Sequence, residues 1–182
     1  MPSVLRAAFV RVPGQRDRIY VHRSDGTEVS WVFPTYGDEL PHDLVHLVVE
    51  SAFGLKKGFW GRVDAGVDPA RINEEANRKG GGNKYVGFGD DLEELLLAEG
   101  LAGAPWSNEE VSDAAIREVI ATNCARIGVE AGAALTLDRV REVRRVLPRL
   151  RQQWRAFAGK GTITLVFDPQ DPARGFAALL PA

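Results

Sequence analysis

The sequence predicts a single α+β domain spanning residues 1–182. Antiparallel strands lie near its N-terminus, several helices in the middle and one strand at its end. Three observations carry this reading. Short β-rich runs fill the stretch before residue 34, and one of them contains an Asp-Gly turn. Helix start and stop residues then punctuate the chain from Pro41 to Gly161. A β-branched run, Thr162 to Phe167, follows the last helical pattern.

The first strand is expected over Val4 to Val12, ending at Pro13-Gly14. Two more, Arg18 to Arg23 and Glu28 to Phe33, flank Ser24-Asp25-Gly26-Thr27. Asp25-Gly26 suits a two-residue type I′ hairpin turn. That register would pair Arg23 with Glu28, His22 with Val29 and Tyr20 with Trp31, placing His22 on the same sheet face as Trp31.

Pro41 suits a helix start and Gly54 its end. A second helix is expected from Asp68-Pro69 to Gly80, and a third from Asp90 to Glu99. Ser107-Asn108-Glu109-Glu110 has the form of a capping box. The helix it would open carries Val111, Ile116, Val119, Ile120 and Ile127 on one side. The last helix begins near Thr136. Val140, Val143, Leu147, Leu150, Trp154 and Phe157 form a narrow apolar stripe along it, and Pro148 is expected to kink or divide it.

Composition excludes several classes. The apolar share of 45% and charged share of 26% are those of an ordinary globular protein, and the formal charge of −2 exerts no strong pull on nucleic acid or anionic lipid. The single cysteine, Cys124, rules out an internal disulfide and reads as a buried thiol. The N-terminal segment lacks the pattern of a secretory signal, and no apolar run approaches the roughly 20 residues that span a bilayer. A cytoplasmic protein without a membrane partner is expected. The preference for Arg over Lys points to a GC-rich bacterial genome.

The chemistry-bearing segment is Leu40 to Glu50, LPHDLVHLVVE. On a helix, Leu44, Val45, Leu47, Val48, Ser51, Ala52 and Leu55 fill a mainly apolar arc, while His42, Asp43, His46 and Glu50 share the remaining arc of about 100°. Histidines at i and i+4 can direct ring nitrogens at one ion, the geometry of the HExxH zinc helix. Glu50, one turn further, is placed either to orient His46 or to ligate. Asp43 stands where HExxH has glutamate and is the candidate catalytic base, although its shorter side chain departs from the peptidase pattern. His22 is the third and last histidine and the candidate third imidazole. HD-type phosphohydrolases need more histidines than this chain has. The plain alternative is a solvated helix face.

Elsewhere, Trp60 with Lys56, Lys57 and Arg62 is a candidate lining for an anionic or planar ligand, against a reading of Phe59 and Trp60 as core aromatics. Arg78 to Lys84 is basic and glycine-rich but lacks the Gly-Lys-Ser/Thr ending of a phosphate loop. The final helix carries Arg139, Arg141, Arg144, Arg145, Arg149, Arg151 and Arg155. No aromatic residues are interleaved for base stacking on its solvated side, so nucleic acid is not the favoured partner.

The run Leu40 to Glu50, followed by Gly54-Leu55 and Gly58-Phe59-Trp60-Gly61, resembles a group of bacterial proteins sharing a PHDLVHF-VE…GFWG core. The similarity covers about residues 38–66, with a weaker echo over 154–167 that includes Trp154 and Gly161-Thr162-Ile163-Thr164-Leu165. It implies that His42, Asp43, His46, Glu50 and Trp60 belong to a shared pattern, and it brings no activity. Leu47 departs from the aromatic of that pattern. Two functions follow from the residues. One is a protein binding zinc or another divalent metal, of hydrolase type. The other is a non-catalytic module contacting a small molecule or protein through the Phe59-Trp60 segment.

Overall fold

The computed structural model describes residues 4–32, 38–72 and 92–171. Strand β1 (Leu5–Arg11) alternates strictly, turning Leu5, Ala7, Phe9 and Arg11 inward. It pairs antiparallel with β2 (Arg18–His22) on one side and with β4 (Gly161–Phe167) on the other. Leu5 faces Phe167 and Phe9 faces Ile163, so the first and last of these strands are direct neighbours. With β3 (Glu28–Val32) paired to β2, the order is β3-β2-β1-β4. The α+β arrangement holds: three strands, then helices, then one strand.

The hairpin between β2 and β3 differs from expectation by one residue. His22 pairs with Glu28, Val21 with Val29 and Ile19 with Trp31. A type I′ turn needs positive φ at both central residues. Here only Gly26 has it, at 87°. The loop is three residues long, with the Arg23 N–H donating to the Thr27 carbonyl at 2.8 Å and the Gly26 N–H to the Arg23 carbonyl at 3.0 Å. Asp64 sets this choice. Its carboxylate accepts from the Ser24 backbone N–H and hydroxyl, both at 2.8 Å, and draws Ser24 out of the ladder. A one-residue slip moves every side chain to the other face. Trp31 and Val29 therefore join Ile19 and Val21 on the core side, and His22 and Tyr20 point outward.

Helix α1 (His42–Phe53) begins after Pro41 and ends at Gly54, whose φ of 68° closes it in the left-handed conformation. The helix contacts β4, α2 (Phe59–Asp64), α4 (Leu92–Ala102) and α6 (Leu137–Ala156). It is consequently buried on almost every side, including His46 and Glu50. Of the helix expected from Asp68-Pro69, here α3, residues 69–72 are described and helical. Its expected end at Gly80, the basic segment from Arg78 to Lys84 and the expected start at Asp90 lie outside the described residues. Helix α4 runs three residues past Glu99. The Lys57 backbone N–H donates to Glu94 just beyond the C-terminus of α1, while Glu99 faces His46 near its N-terminus. The two helices are thus antiparallel.

Helix α5 (Asp113–Arg126) starts later than the capping-box pattern suggests. The cap is Ser112, whose hydroxyl accepts the Ala115 N–H at 3.1 Å. Ser107 lies in a turn, where the Asn108 side chain accepts from the Glu110 N–H at 3.0 Å and holds the chain out of a helix. Ile116, Ile120 and Cys124 are its buried residues, whereas Ile127 is exposed. Helix α6 starts at its expected cap, Thr136, and runs through Pro148 undivided. Buried Val143, Leu147, Leu150 and Trp154 anchor it on both sides of the proline, and that burial outweighs one missing backbone hydrogen bond. Its arginines largely serve the fold. Arg144 reaches the Val111 and Asn108 carbonyls and Asp113, and Arg141 pairs with Asp113 and Asp138.

Candidate metal centre

His42 and His46 lie one turn apart on α1, and their Nε2 atoms approach to 3.1 Å. Glu99 comes from α4, its carboxylate 3.7 Å from His46 Nε2. The three ligand atoms lie within 4.8 Å of one another. Two nitrogens held about 2.0–2.1 Å from a tetrahedral ion would sit roughly 3.3–3.4 Å apart, so the imidazoles are already near ligand spacing. The cluster is graded in depth, with His46 buried, Glu99 half-buried and His42 exposed. It therefore opens to solvent on the His42 side.

Glu50 supports this cluster from behind. It is fully buried, and its Oε1 lies 3.2 Å from His46 Nδ1. The same carboxylate accepts the backbone N–H groups of Phe59 at 3.0 Å and Trp60 at 2.9 Å, which are otherwise orphan donors at the start of α2. A Cβ at position 58 would stand 2.6 Å from this carboxylate, so Gly58 is required for the chain to wrap it. Gly61 likewise admits the Lys56 carbonyl, which a Cβ would meet at 1.8 Å.

The Nδ1–H of His46 donates to Glu50, which leaves Nε2 facing His42 and Glu99. Burial opposes the imidazolium of His46, but the hydrogen bond it donates to Glu50 and the nearby charges of Glu50, Glu99 and Asp43 outweigh it and raise the pKa. Burial also raises that of Glu50, against the pull of His46.

Asp43 is the second residue of α1 and half-buried. Its Oδ2 accepts the Trp31 indole N–H at 3.0 Å, a contact that exists because the β2–β3 register turns Trp31 inward. Burial pushes its carboxyl up to about 6, partly countered by the Trp31 hydrogen bond. A group with that pKa exchanges protons near neutrality, as a general acid or base must.

His42, His46, Glu50 and Asp43 are thus brought together, with Glu50 behind the cluster. His22 is not. It projects from the outer face of the sheet, with Nδ1 2.9 Å from Glu28 and most of its side chain exposed. Glu99 takes the third place instead. Its only sequence signal is a carboxylate near the end of an apolar helix, and nothing in its spacing links it to residues 42–50.

Trp60 is fully buried, packed against Phe9, Trp31 and Phe59, and its indole N–H donates to the Asp43 carbonyl at 2.8 Å. It fixes the first turn of α1 from the core. The ligand surface expected from Trp60 with half-buried Arg62 therefore does not form. Cys124 is buried, and burial raises the pKa of its thiol, as suits a packing residue.

No helix among the described residues is long and apolar enough to cross a membrane. No family model matches the chain, and neither the curated proteins nor the solved structures yield a match.

Proposed function

We propose that this chain is a divalent-metal protein of hydrolase type, with His42, His46 and Glu99 as ligands. The observation that carries the reading is the convergence of two imidazole nitrogens and a carboxylate, backed by a buried glutamate that sets the His46 tautomer. Two nitrogens and one oxygen form a donor set suited to zinc that leaves a coordination position open, the arrangement of catalytic zinc sites. A bound ion of this kind lowers the pKa of its water into the neutral range. Around that position, Glu50 holds His46 in place and Asp43 offers a carboxyl poised to take or give a proton. The exposed edge of His42 marks the side from which substrate would enter.

Metal content by mass spectrometry tests the reading, on tag-free protein as purified and after incubation with zinc or manganese. About one ion per chain is expected in wild type, with loss in His46→Ala and Glu99→Ala. Wild type that holds no more metal than His46→Ala overturns it. For the hydrolase part, metal-loaded protein should cleave a chromogenic ester or phosphoester, and Asp43→Asn should slow cleavage while retaining the metal.

A further inference from the structure

A cavity adjoins the candidate metal centre at the first turn of α1. Leu40, Val45, Ala102, Trp106 and Leu147 give it mainly apolar walls, and its volume is about 200 Å³. Two helices tie it to the ligands. Val45 follows His42 by one turn on α1, and Ala102 follows Glu99 by one turn on α4. Residues so spaced hold their Cβ atoms roughly 5–6 Å apart. The pattern of exposure agrees. Along α1, only His42, Asp43 and Val45 escape full burial, and Glu99 and Ala102 opposite them are half-buried. Cluster and cavity therefore reach solvent around one short stretch, where the first turn of α1 meets the end of α4.

We propose that this cavity seats the apolar group of the substrate, and that the substrate is a small neutral carboxylic ester. This rests on the metal-hydrolase reading of the cluster, whose substrate class it narrows. Apolar walls favour hydrocarbon, and each methylene they bury is worth about three- to four-fold in binding. The volume is below the roughly 300–1,000 Å³ of pockets that hold drug-sized ligands, which limits the group to a short chain or one ring. Charge separates ester from phosphoester. Asp43, Glu50 and Glu99 place three carboxyl groups around His46. Arg151, the one charged residue on the cavity wall among the described residues, is engaged by Glu39 at 3.6 Å. A neutral ester meets no repulsion there, whereas a phosphoester brings further negative charge. In the reaction the oxygen of water bonds to the acyl carbon and the bond from that carbon to the alkoxy oxygen breaks. The alcohol leaves with one proton of the water, and the carboxylic acid retains the other.

The test measures hydrolysis by the zinc-loaded full chain at constant pH, after subtraction of the His46→Ala rate. The substrates are ethyl acetate, ethyl butyrate and butyl acetate, with butyl phosphate beside them. Ethyl butyrate or butyl acetate should exceed ethyl acetate in kcat/KM by about ten-fold, and butyl phosphate should be the poorest. Ala102→Leu fills the cavity and should bring that ratio near one while metal content stays at the wild-type level. Val45→Ala enlarges the cavity and should move the preference to a longer chain, read with ethyl hexanoate and hexyl acetate. Occupancy is read without turnover from the Trp106 indole NMR signal of the metal-free chain titrated with butan-1-ol. The signal should shift in wild type and stay in place in Ala102→Leu. If Ala102→Leu does not fold, Val45→Ala and the wild-type indole signal decide. Wild type that holds no metal, or that hydrolyses none of the four substrates, overturns the metal-hydrolase reading and this proposal with it. Metal-dependent hydrolysis that ignores chain length, prefers butyl phosphate or keeps its wild-type ratio in the folded variants overturns the substrate class alone, as does an unmoved Trp106 signal.

Discussion

The Glu50 carboxylate stands 3.2 Å from His46 Nδ1 and turns the opposite ring nitrogen toward His42. The same side chain seats the start of α2 through the Phe59 and Trp60 N–H groups, so site geometry and fold share one buried anion. Glu50→Gln should therefore affect both. The amide keeps an acceptor for some of these donors but loses the charge that fixes the His46 tautomer. Metal affinity should fall about 10–100-fold. Glu50→Ala leaves the donors without any acceptor and should cost about 3–5 kcal/mol of stability. Metal titration and urea denaturation read the two effects.

Gly58→Ala probes the same contact from the other side. Its Cβ would press on the Glu50 carboxylate, which three donors hold in place. A destabilisation of about 1–3 kcal/mol is expected, as for other overpacked interiors. Weaker metal binding should accompany it. A variant as stable as wild type would mean that Glu50 is free to move.

Asp43 links stability to pH. Its folded pKa, about 6, lies above the ordinary value of 3.8, so the folded state holds a proton that the unfolded state has already lost in this interval. Stability from this group is complete below pH 3.8 and declines as pH rises through about 6. Asp43→Asn, which can still accept from Trp31, removes that decline. It should be more stable than wild type at pH 7.5 by about 1–3 kcal/mol, with the difference vanishing near pH 4. Denaturation curves across this range check the sign, and the carboxyl carbon signal of Asp43 should titrate near pH 6.

His22 and Glu99 exchange roles relative to the sequence expectation, and their variants should separate cleanly. His22→Ala sits on the outer sheet face and should leave metal affinity unchanged, with a stability change within about 0.5 kcal/mol. Glu99→Ala should weaken metal binding by at least about ten-fold. Equal losses in the two variants would contradict the one-residue register on which the site depends.

Much of α1 was legible beforehand because it obeys local rules. Pro41 and Gly54 bound it, and a period of 3.6 residues gathers His42, Asp43, His46 and Glu50 on one face. The apolar stripe of α6 and its Thr136 cap were legible for the same reason. The start of α5 was not, because Ser107 and Ser112 both carry acceptable caps and the Asn108 turn decides between them. A local pattern also could not tell that the polar face of α1 is covered, since that depends on how α2 and α4 pack across it.

The sequence by itself determined which atoms are available: two imidazoles one helical turn apart, a glutamate behind them, an aspartate between them and glycines that allow tight wrapping. Only the tertiary structure decided their company. Asp64 reaches across to Ser24, shifts the hairpin by one residue, sends His22 outward and brings Trp31 to Asp43. The antiparallel packing of α4 on α1 delivers Glu99 from more than 50 residues away along the chain. Spacing along one helix reports neighbours within that helix. Register and packing are settled by contacts between distant segments, and these leave no periodic trace in the sequence.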